Sequence, residues 1–550
     1  MAWYDEAIFY HIYPLGMTGA PKQNTYSEPE HRLSTLLPWI SHIKAIGCNA
    51  LYIGPLFESV GHGYETTDYK KLDSRLGTNE DLTQFVKECH KQGIRVILDG
   101  VFNHTGRDFF AFQDIKKNRE HSAYKDWYCN VNFAGNNEYN DGFSYDNWGG
   151  YNLLVKLNQQ NPAVRDYICD VIRFWVKEFD IDGIRLDAAD VLDFNYMHAL
   201  RATANEVKPD FWLMGEVIHG DYNRWVNEGT LHSVTNYHLH KALYSGHNDH
   251  NYFEIAHTVK RLYNMGGNRP DGLKLYNFVD NHDVERIITK LNNKAHYLPT
   301  HILLYTLPGI PSIYYGSEFG IEGKKMRGSD DSLRPMLRYD DYADALKTNQ
   351  YTKLIAALGA IRQNTPPLSY GDYKELTLTT GQYAFAREYN NQSVLVTVNN
   401  SDGDFSMTLP AGNSAQYIGA LSGETVSAEN GCLHVVVKGN SGEIWIPTDL
   451  NIQIITPVEL QSFEQPKEQP VAKEMEKVSE ATSENITDAC TTTQMHINPN
   501  KPIEQMSIEE LQQGILARMQ KNGPITDQMR RDVMENVYHD SLINWIKSFR

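Results

Sequence analysis

Four short segments place carboxyl, imidazole and guanidinium groups where an apolar core would not tolerate them. They are DGVFNH, with Asp99, Asn103 and His104; RLD, with Arg185 and Asp187; GE, with Glu216; and NHD, with Asn281, His282 and Asp283. Arg185 and Asp187 are two apart, so on an extended chain they face the same side. A guanidinium beside Asp187 predicts a lowered pKa and an ionised carboxylate fit to act as a nucleophile. Glu216 follows Trp212, Leu213 and Met214 and precedes Val217 and Ile218. Apolar surroundings raise a carboxyl pKa and keep it protonated, as a general acid requires. Asp283, flanked by His282, adds a third carboxylate. One ionised and one protonated carboxyl form the pairing that glycosidic-bond hydrolysis uses. Taken singly, each cluster reads equally as a strand-end turn, and Arg185–Asp187 as a structural ion pair. Four clusters closing the third, fourth, fifth and seventh of eight strand-like runs do not.

The elements that must position them alternate. Strand-like runs lie at 7–14, 50–56, 95–102, 183–189, 211–217, 233–237, 274–281 and 312–316, and amphipathic stretches lie between most of them. Leu36, Ile40, Ile43 and Ile46 form one such helical face, and Val171, Phe174, Trp175 and Phe179 another. Eight alternations predict an α/β fold, a (β/α)₈ TIM barrel whose functional groups gather at the C-terminal strand ends. A doubly wound open sheet would carry a Gly-rich phosphate turn after its first strand, where this chain reads YPLGMTG. The barrel is expected in two parts, 1–104 and 161–369. Residues 105–160, rich in Asn, Gly, Asp, Tyr and Trp, read as an excursion domain after the third strand. From 370 to 457 the period switches to two, predicting a C-terminal all-β sandwich. Residues 458–505 are polar, Pro- and Glu-rich and aromatic-poor, the composition of a disordered linker. The tail, 506–550, reads as two amphipathic helices, the first opened by the capping-box spacing of Ser507 and Glu510. Its apolar faces leave room for self-association or a protein partner.

The 550 residues carry a formal charge of −18 and no basic run, which argues against nucleic acid as a partner and favours a neutral ligand. No stretch is apolar enough to span a membrane, and MAWYDEAIFYHIYP has neither basic leader nor apolar h-region, so a cytoplasmic protein is expected. Cysteines at 48, 89, 129, 169, 432 and 490 form no CxxC pair and predict reduced thiols.

In this order DGVFNH, GIRLDAA, GEV and FVDNHD resemble the four signature motifs of the α-amylase family of retaining glycoside hydrolases. GIPSIYYGSEFG is similar to its last-strand motif and GYETTDY, at 63–69, to its loop after the second strand. The resemblance spans residues 5 to 456. It implies Asp187 as nucleophile, Glu216 as general acid/base and Asp283 as transition-state stabiliser, with Tyr64, Asp99, His104, Arg185 and His282 binding the sugar or the nucleophile. The substrate implied is an α-glucan oligosaccharide, with no cofactor for the chemistry. A structural calcium is left room for near Asn103, with an Asp such as Asp146. VKLNQQNP (155–162) and RGSDDSLRPML (327–337) are similar to segments of the neopullulanase, cyclomaltodextrinase and maltogenic amylase branch. Ala188 after the nucleophile fits α-1,4 cleavage. That branch's N-terminal dimerisation module is absent, and Asp190 and Ile218 depart from its acceptor-side pattern, leaving hydrolysis against 4-α-glucan transfer open. A non-catalytic scaffold relative would have lost carboxylates that this chain keeps.

Overall fold

Eight short runs, buried throughout but for Arg95, pair in parallel into one sheet: β1 (Phe9–Ile12), β2 (Ala50–Ile53), β3 (Arg95–Gly100), β4 (Gly183–Leu186), β5 (Trp212–Gly215), β6 (Ser233–Val234), β7 (Tyr276–Phe278) and β8 (Ile310–Tyr314). The structure, a computed structural model, describes residues 2–266, 272–326, 328–450, 507–522 and 533. The strand order is β6-β5-β4-β3-β2-β1-β8-β7, and a bridge between Thr235 and Tyr276 joins the two ends into a barrel. Helices α1 (Trp39–Ala45), α2 (Asn79–Lys91), α3 (Pro162–Phe179), α4 (Phe194–Val207), α5 (Tyr237–Asn248), α6 (Tyr252–Met265), α7 (Tyr297–Thr306) and α8 (Gln350–Asn364) fill the crossovers. Between β5 and β6 the alternation lapses, and a 3₁₀ turn, Tyr222–Arg224, makes the crossing.

Local chemistry sets the helix ends. Thr78 and Asp81 form a reciprocal capping box on α2. Asn161 accepts the Ala163 N–H ahead of Pro162 on α3, and Asp193 accepts the Tyr196 N–H on α4.

Strand periodicity decides what the barrel holds. Phe9, Ala50, Ile97, Trp212, Tyr276 and Ile310 fill the interior, with Trp212 stacked on Phe9 at 5.2 Å. Two residues further along the same faces come His11, Tyr52, Asp99 and Met214. The interior therefore passes from apolar to polar toward the C-terminal strand ends.

After β3 the chain leaves the barrel through helix Phe110–Asn118 and a small sheet of His104–Thr105, Tyr151–Lys156 and Asn147–Trp148. After α8, strands β9 (Asp372–Leu378), β10 (Gln382–Tyr389), β11 (Gln392–Asn399), β12 (Phe405–Pro410), β13 (Gln416–Gly419), β14 (Thr425–Ser427), β15 (Cys432–Val437) and β16 (Ser441–Pro447) form a six-stranded antiparallel sheet and the separate pair β12–β15. Leu395, Met407, Leu409, Leu433, Val435 and Trp445 fill the core between them. Arg387 of β10 donates to the Thr306 carbonyl of α7 at 2.6 Å, tying this domain to the barrel.

In a separate unit, helix α9 (Ile508–Asn522) opens on the Ser507–Glu510 capping box, with Glu510 Oε2 accepting the Ser507 N–H at 2.6 Å. The linker read at 458–505 and, apart from Val533, the second tail helix lie outside the described residues. Cys48, Cys89, Cys129, Cys169 and Cys432 are free thiols. Among the described residues, no helix is long and apolar enough to cross a membrane.

Candidate active site

Backbone pairing outlasts the strands and fixes two of the carboxylates. The Asp187 N–H still donates to Gly100 at 3.0 Å, and the Glu216 N–H to Leu186 at 2.9 Å. Each side chain thus leaves a hydrogen-bonded backbone at the barrel mouth. Period two carries Glu216 onto the face of Trp212 and Met214, above the apolar interior.

Arg185 is the hub. Its Nη1 donates to Asp99 Oδ1 and to Asp187 Oδ1, both at 2.8 Å, and its Nη2 lies 2.9 Å from Glu216 Oε2. Asp99 Oδ2 also accepts from Tyr52 at 2.7 Å and Tyr64 at 3.2 Å. Gly54 makes room for this: a Cβ there would fall 2.4 Å from the Asp99 Cβ. A buried ion cluster is often no more stable than well-packed apolar residues, by about 1–4 kcal/mol in their favour. Stability does not account for one guanidinium holding three carboxylates.

The backbone adds a donor. Ala188 sits in the left-handed region, at φ 47° and ψ 43°, a conformation costing an L-residue about 1–2 kcal/mol. This turn aims its N–H at Glu216 Oε2, 3.0 Å away.

Asp283 occupies a different electrostatic setting. Arg334 Nη2 donates to its Oδ1 at 2.8 Å, and His282 Nε2 lies 3.1 Å from its Oδ2. Burial works to raise this carboxyl, but His282, Arg334 and Arg185 outweigh it and hold it well below the usual range. Burial pushes His282 itself down to about 3, so the standing cation beside Asp283 at neutral pH is Arg334. Arg334 also donates to the His282 carbonyl at 3.0 Å and lies 4.6 Å over the Tyr13 ring.

The sequence-based assignment for Asp187 needs correcting. Arg185 does pull its pKa down, but burial, with Glu216 adding repulsion, pulls harder and leaves it well above the ordinary aspartate range. Burial raises Glu216 too, against the pull of Arg185 and the Ala188 N–H. Both carboxyls therefore hold a proton more tightly than exposed ones would, and Glu216 adds to that effect on Asp187.

Of the residues singled out in the sequence, Asp99, Arg185, Asp187 and Glu216 form one contact network. Tyr64 links it to His282 and Asp283: its hydroxyl meets both Asp99 and His282 Nε2, and its ring stacks on His282 at 14°. His104 stands behind Tyr64, its Nε2–H donating to the Tyr64 carbonyl at 3.2 Å, its Nδ1 accepting from Asn103 at 3.2 Å. Burial pushes its pKa down to about 3, so it is neutral. Tyr52, Tyr13 and Arg334 went unassigned in the sequence; the first two pass for core aromatics. Arg334 lies inside RGSDDSLRPML, so that motif is the signal that points to it.

Asn103 and Asp146, where the resemblance leaves room for a calcium, each have a side-chain partner of their own. Asn103 Oδ1 accepts from Gln159 at 3.0 Å, and Asp146 Oδ2 from Asn130 at 2.8 Å. Among the described residues no cluster of three or more His, Cys, Asp or Glu could hold a metal ion.

A parallel barrel with a carboxylate-lined mouth, an excursion after its third strand and a C-terminal β domain defines a class, and comparison with known proteins agrees. Residues 33–354 match the alpha amylase catalytic domain and residues 371–445 the alpha-amylase C-terminal domain. The chain belongs to the α-amylase family of glycoside hydrolases. It is 32% identical over 426 residues to a cyclomaltodextrinase of Thermoanaerobacter pseudethanolicus, covering 72% of this chain and 71% of that protein. It is 32% identical over 332 residues to an intracellular maltogenic amylase of Bacillus subtilis, covering 59% of this chain and 54% of that one. A solved cyclomaltodextrinase structure superposes with a TM-score of 0.71 at 27% identity, over 80% of this chain and 78% of that one.

Proposed function

We propose that this hydrolase cleaves α-1,4-glucosidic bonds of maltooligosaccharides, cyclodextrins or related starch fragments with retention, by double displacement. The observation that carries this reading is the shared guanidinium: Asp187 and Glu216 sit on adjoining nitrogens of Arg185, at 2.8 and 2.9 Å. Carboxyl groups so close suit a nucleophile and an acid/base, roughly 5–5.5 Å apart in retaining enzymes, whereas inversion needs room for a water at about 6.5–9.5 Å. Asp187 attacks the anomeric carbon as Glu216 delivers the pair's proton to the leaving glycosidic oxygen. The bond to that oxygen breaks and a glycosyl ester forms on Asp187. Glu216, now ionised, takes a proton from water, which displaces Asp187 and releases the sugar. Asp283, kept ionised by Arg334, faces the positive charge that develops on the ring. Tyr64 provides the ring face for the sugar undergoing cleavage, while Arg185, His282 and Asp99 hold hydroxyls and carboxylates in place; His104 buttresses Tyr64. The chemistry uses carboxyl groups alone, without a cofactor, and the setting is the cytoplasm, in line with the intracellular Bacillus subtilis relative.

The test follows the first product from maltotriose by NMR and profiles products on maltooligosaccharides, cyclodextrin and pullulan. Glucose and maltose, with the α-anomer first, are expected. The β-anomer as first product sinks the double displacement, and longer oligomers reassign the enzyme as a 4-α-glucanotransferase.

A further inference from the structure

Trp148 and Tyr151 face each other across the tip of the hairpin that carries strands Asn147–Trp148 and Tyr151–Lys156. They are 39% and 64% exposed, an unusual outlay of aromatic surface beside a catalytic centre. Two left-handed glycines, Gly149 at φ 63° and Gly150 at φ 84°, make the turn between them, which side chains with a Cβ would resist. The hairpin is fastened at its base. Tyr151–Lys156 pairs with the strand that carries His104, through His104 with Lys156 and Thr105 with Val155. Asn147 Nδ2 donates to Asn152 Oδ1 at 2.8 Å.

Position gives this surface its meaning. The Trp148 ring lies 6.0 Å from the His104 ring, and His104 donates to the Tyr64 carbonyl at 3.2 Å. A chain of contacts thus leads from Asp99 through Tyr64 and His104 to an exposed indole. The C–H face of a pyranose stacks on an aromatic face while its hydroxyls stay in water. We propose that Trp148 is a sugar-stacking platform that holds a glucosyl unit of the α-glucan chain beyond the one seated on Tyr64, so that it selects for chain length. The assignment rests on the α-glucan reading above, and it concerns binding rather than the bond-breaking step.

Steady-state kinetics of Trp148→Ala and Trp148→Tyr on maltoheptaose and on p-nitrophenyl α-glucoside test it. For Trp148→Ala, kcat/KM on maltoheptaose should fall about tenfold more than on the aryl glucoside, mostly through KM, and Trp148→Tyr should recover most of the loss. Equal changes on the two substrates, or none, overturn the platform. Calorimetric titration with maltoheptaose in an Asp187→Asn background separates this proposal from the hydrolase reading. Binding about tenfold weaker with Trp148→Ala supports the platform; unchanged binding overturns it. A wild-type enzyme that leaves maltoheptaose intact would defeat the hydrolase reading alone, and the titration would still decide the platform.

Discussion

Arg334 Nη2 donates to Asp283 Oδ1 at 2.8 Å across 51 residues of chain, and the same guanidinium holds the His282 carbonyl. One cation therefore fixes both the charge and the backbone of the third carboxylate. With Arg334 present, the Asp283 pKa is depressed and its anion survives into acid; removing the cation raises that pKa. Arg334→Ala should lower kcat by roughly 10²-fold, the scale of losing one electrostatic group in a site. It should also raise the Asp283 pKa, followed by carboxyl 13C NMR, with Arg334→Lys intermediate. An Asp283 pKa unmoved in Arg334→Ala would separate Arg334 from the ionisation of Asp283.

Asp187→Asn removes the proposed nucleophile with little change in shape. Turnover should fall by about 10⁴–10⁶-fold, the range seen when a covalent nucleophile is lost, with the circular dichroism spectrum kept. A folded variant with near-normal turnover would take Asp187 out of the mechanism.

Ala188 holds a left-handed turn and aims its N–H at Glu216. A β-branched side chain tolerates that conformation less well. Ala188→Val should therefore lower the melting temperature, by the equivalent of about 1–3 kcal/mol, and reduce kcat by displacing the N–H. Thermal melts and initial rates check both; a wild-type melting curve and rate would mean that the turn carries no strain worth relieving.

The residues brought to the barrel mouth run from Tyr13 to Arg334, all in the first structural unit, and α9 lies in the second. A chain ending near residue 457 should fold and keep its turnover on small maltooligosaccharides. Size-exclusion chromatography of both lengths reports whether the tail drives self-association. Insoluble or inactive truncated protein would make the tail part of the core fold.

The barrel was legible because its punctuation is chemical: Asp99, Arg185, Asp187, Glu216 and Asp283 stand at the ends of apolar runs. Helix Phe110–Asn118 was not, because nine residues are too few to sustain a readable period between the turn-rich stretches around them. Arg334 escaped assignment because its loop has no periodicity and its partner lies 51 residues away. The Asp187 ionisation is hidden from the sequence for a related reason. Its neighbour in sequence, Arg185, could be read; the depth of burial and the nearness of Glu216 could not, since both arise only when β4 and β5 pair.

A hoop is as stiff as its join. Between β6 and β7 the ladder shrinks to the Thr235–Tyr276 bridge, backed by the Asn236 N–H on the Tyr276 carbonyl at 2.9 Å. Two buried amides act as rivets there: Asn236 Nδ2 donates to Asn277 Oδ1 at 2.8 Å, and Asn277 Nδ2 to the Pro308 carbonyl at 2.9 Å. Glu216 follows β5, one strand short of that join, and Asp283 follows β7 just beyond it. The seam of the barrel is thus held by side-chain amides where its backbone pairing runs short.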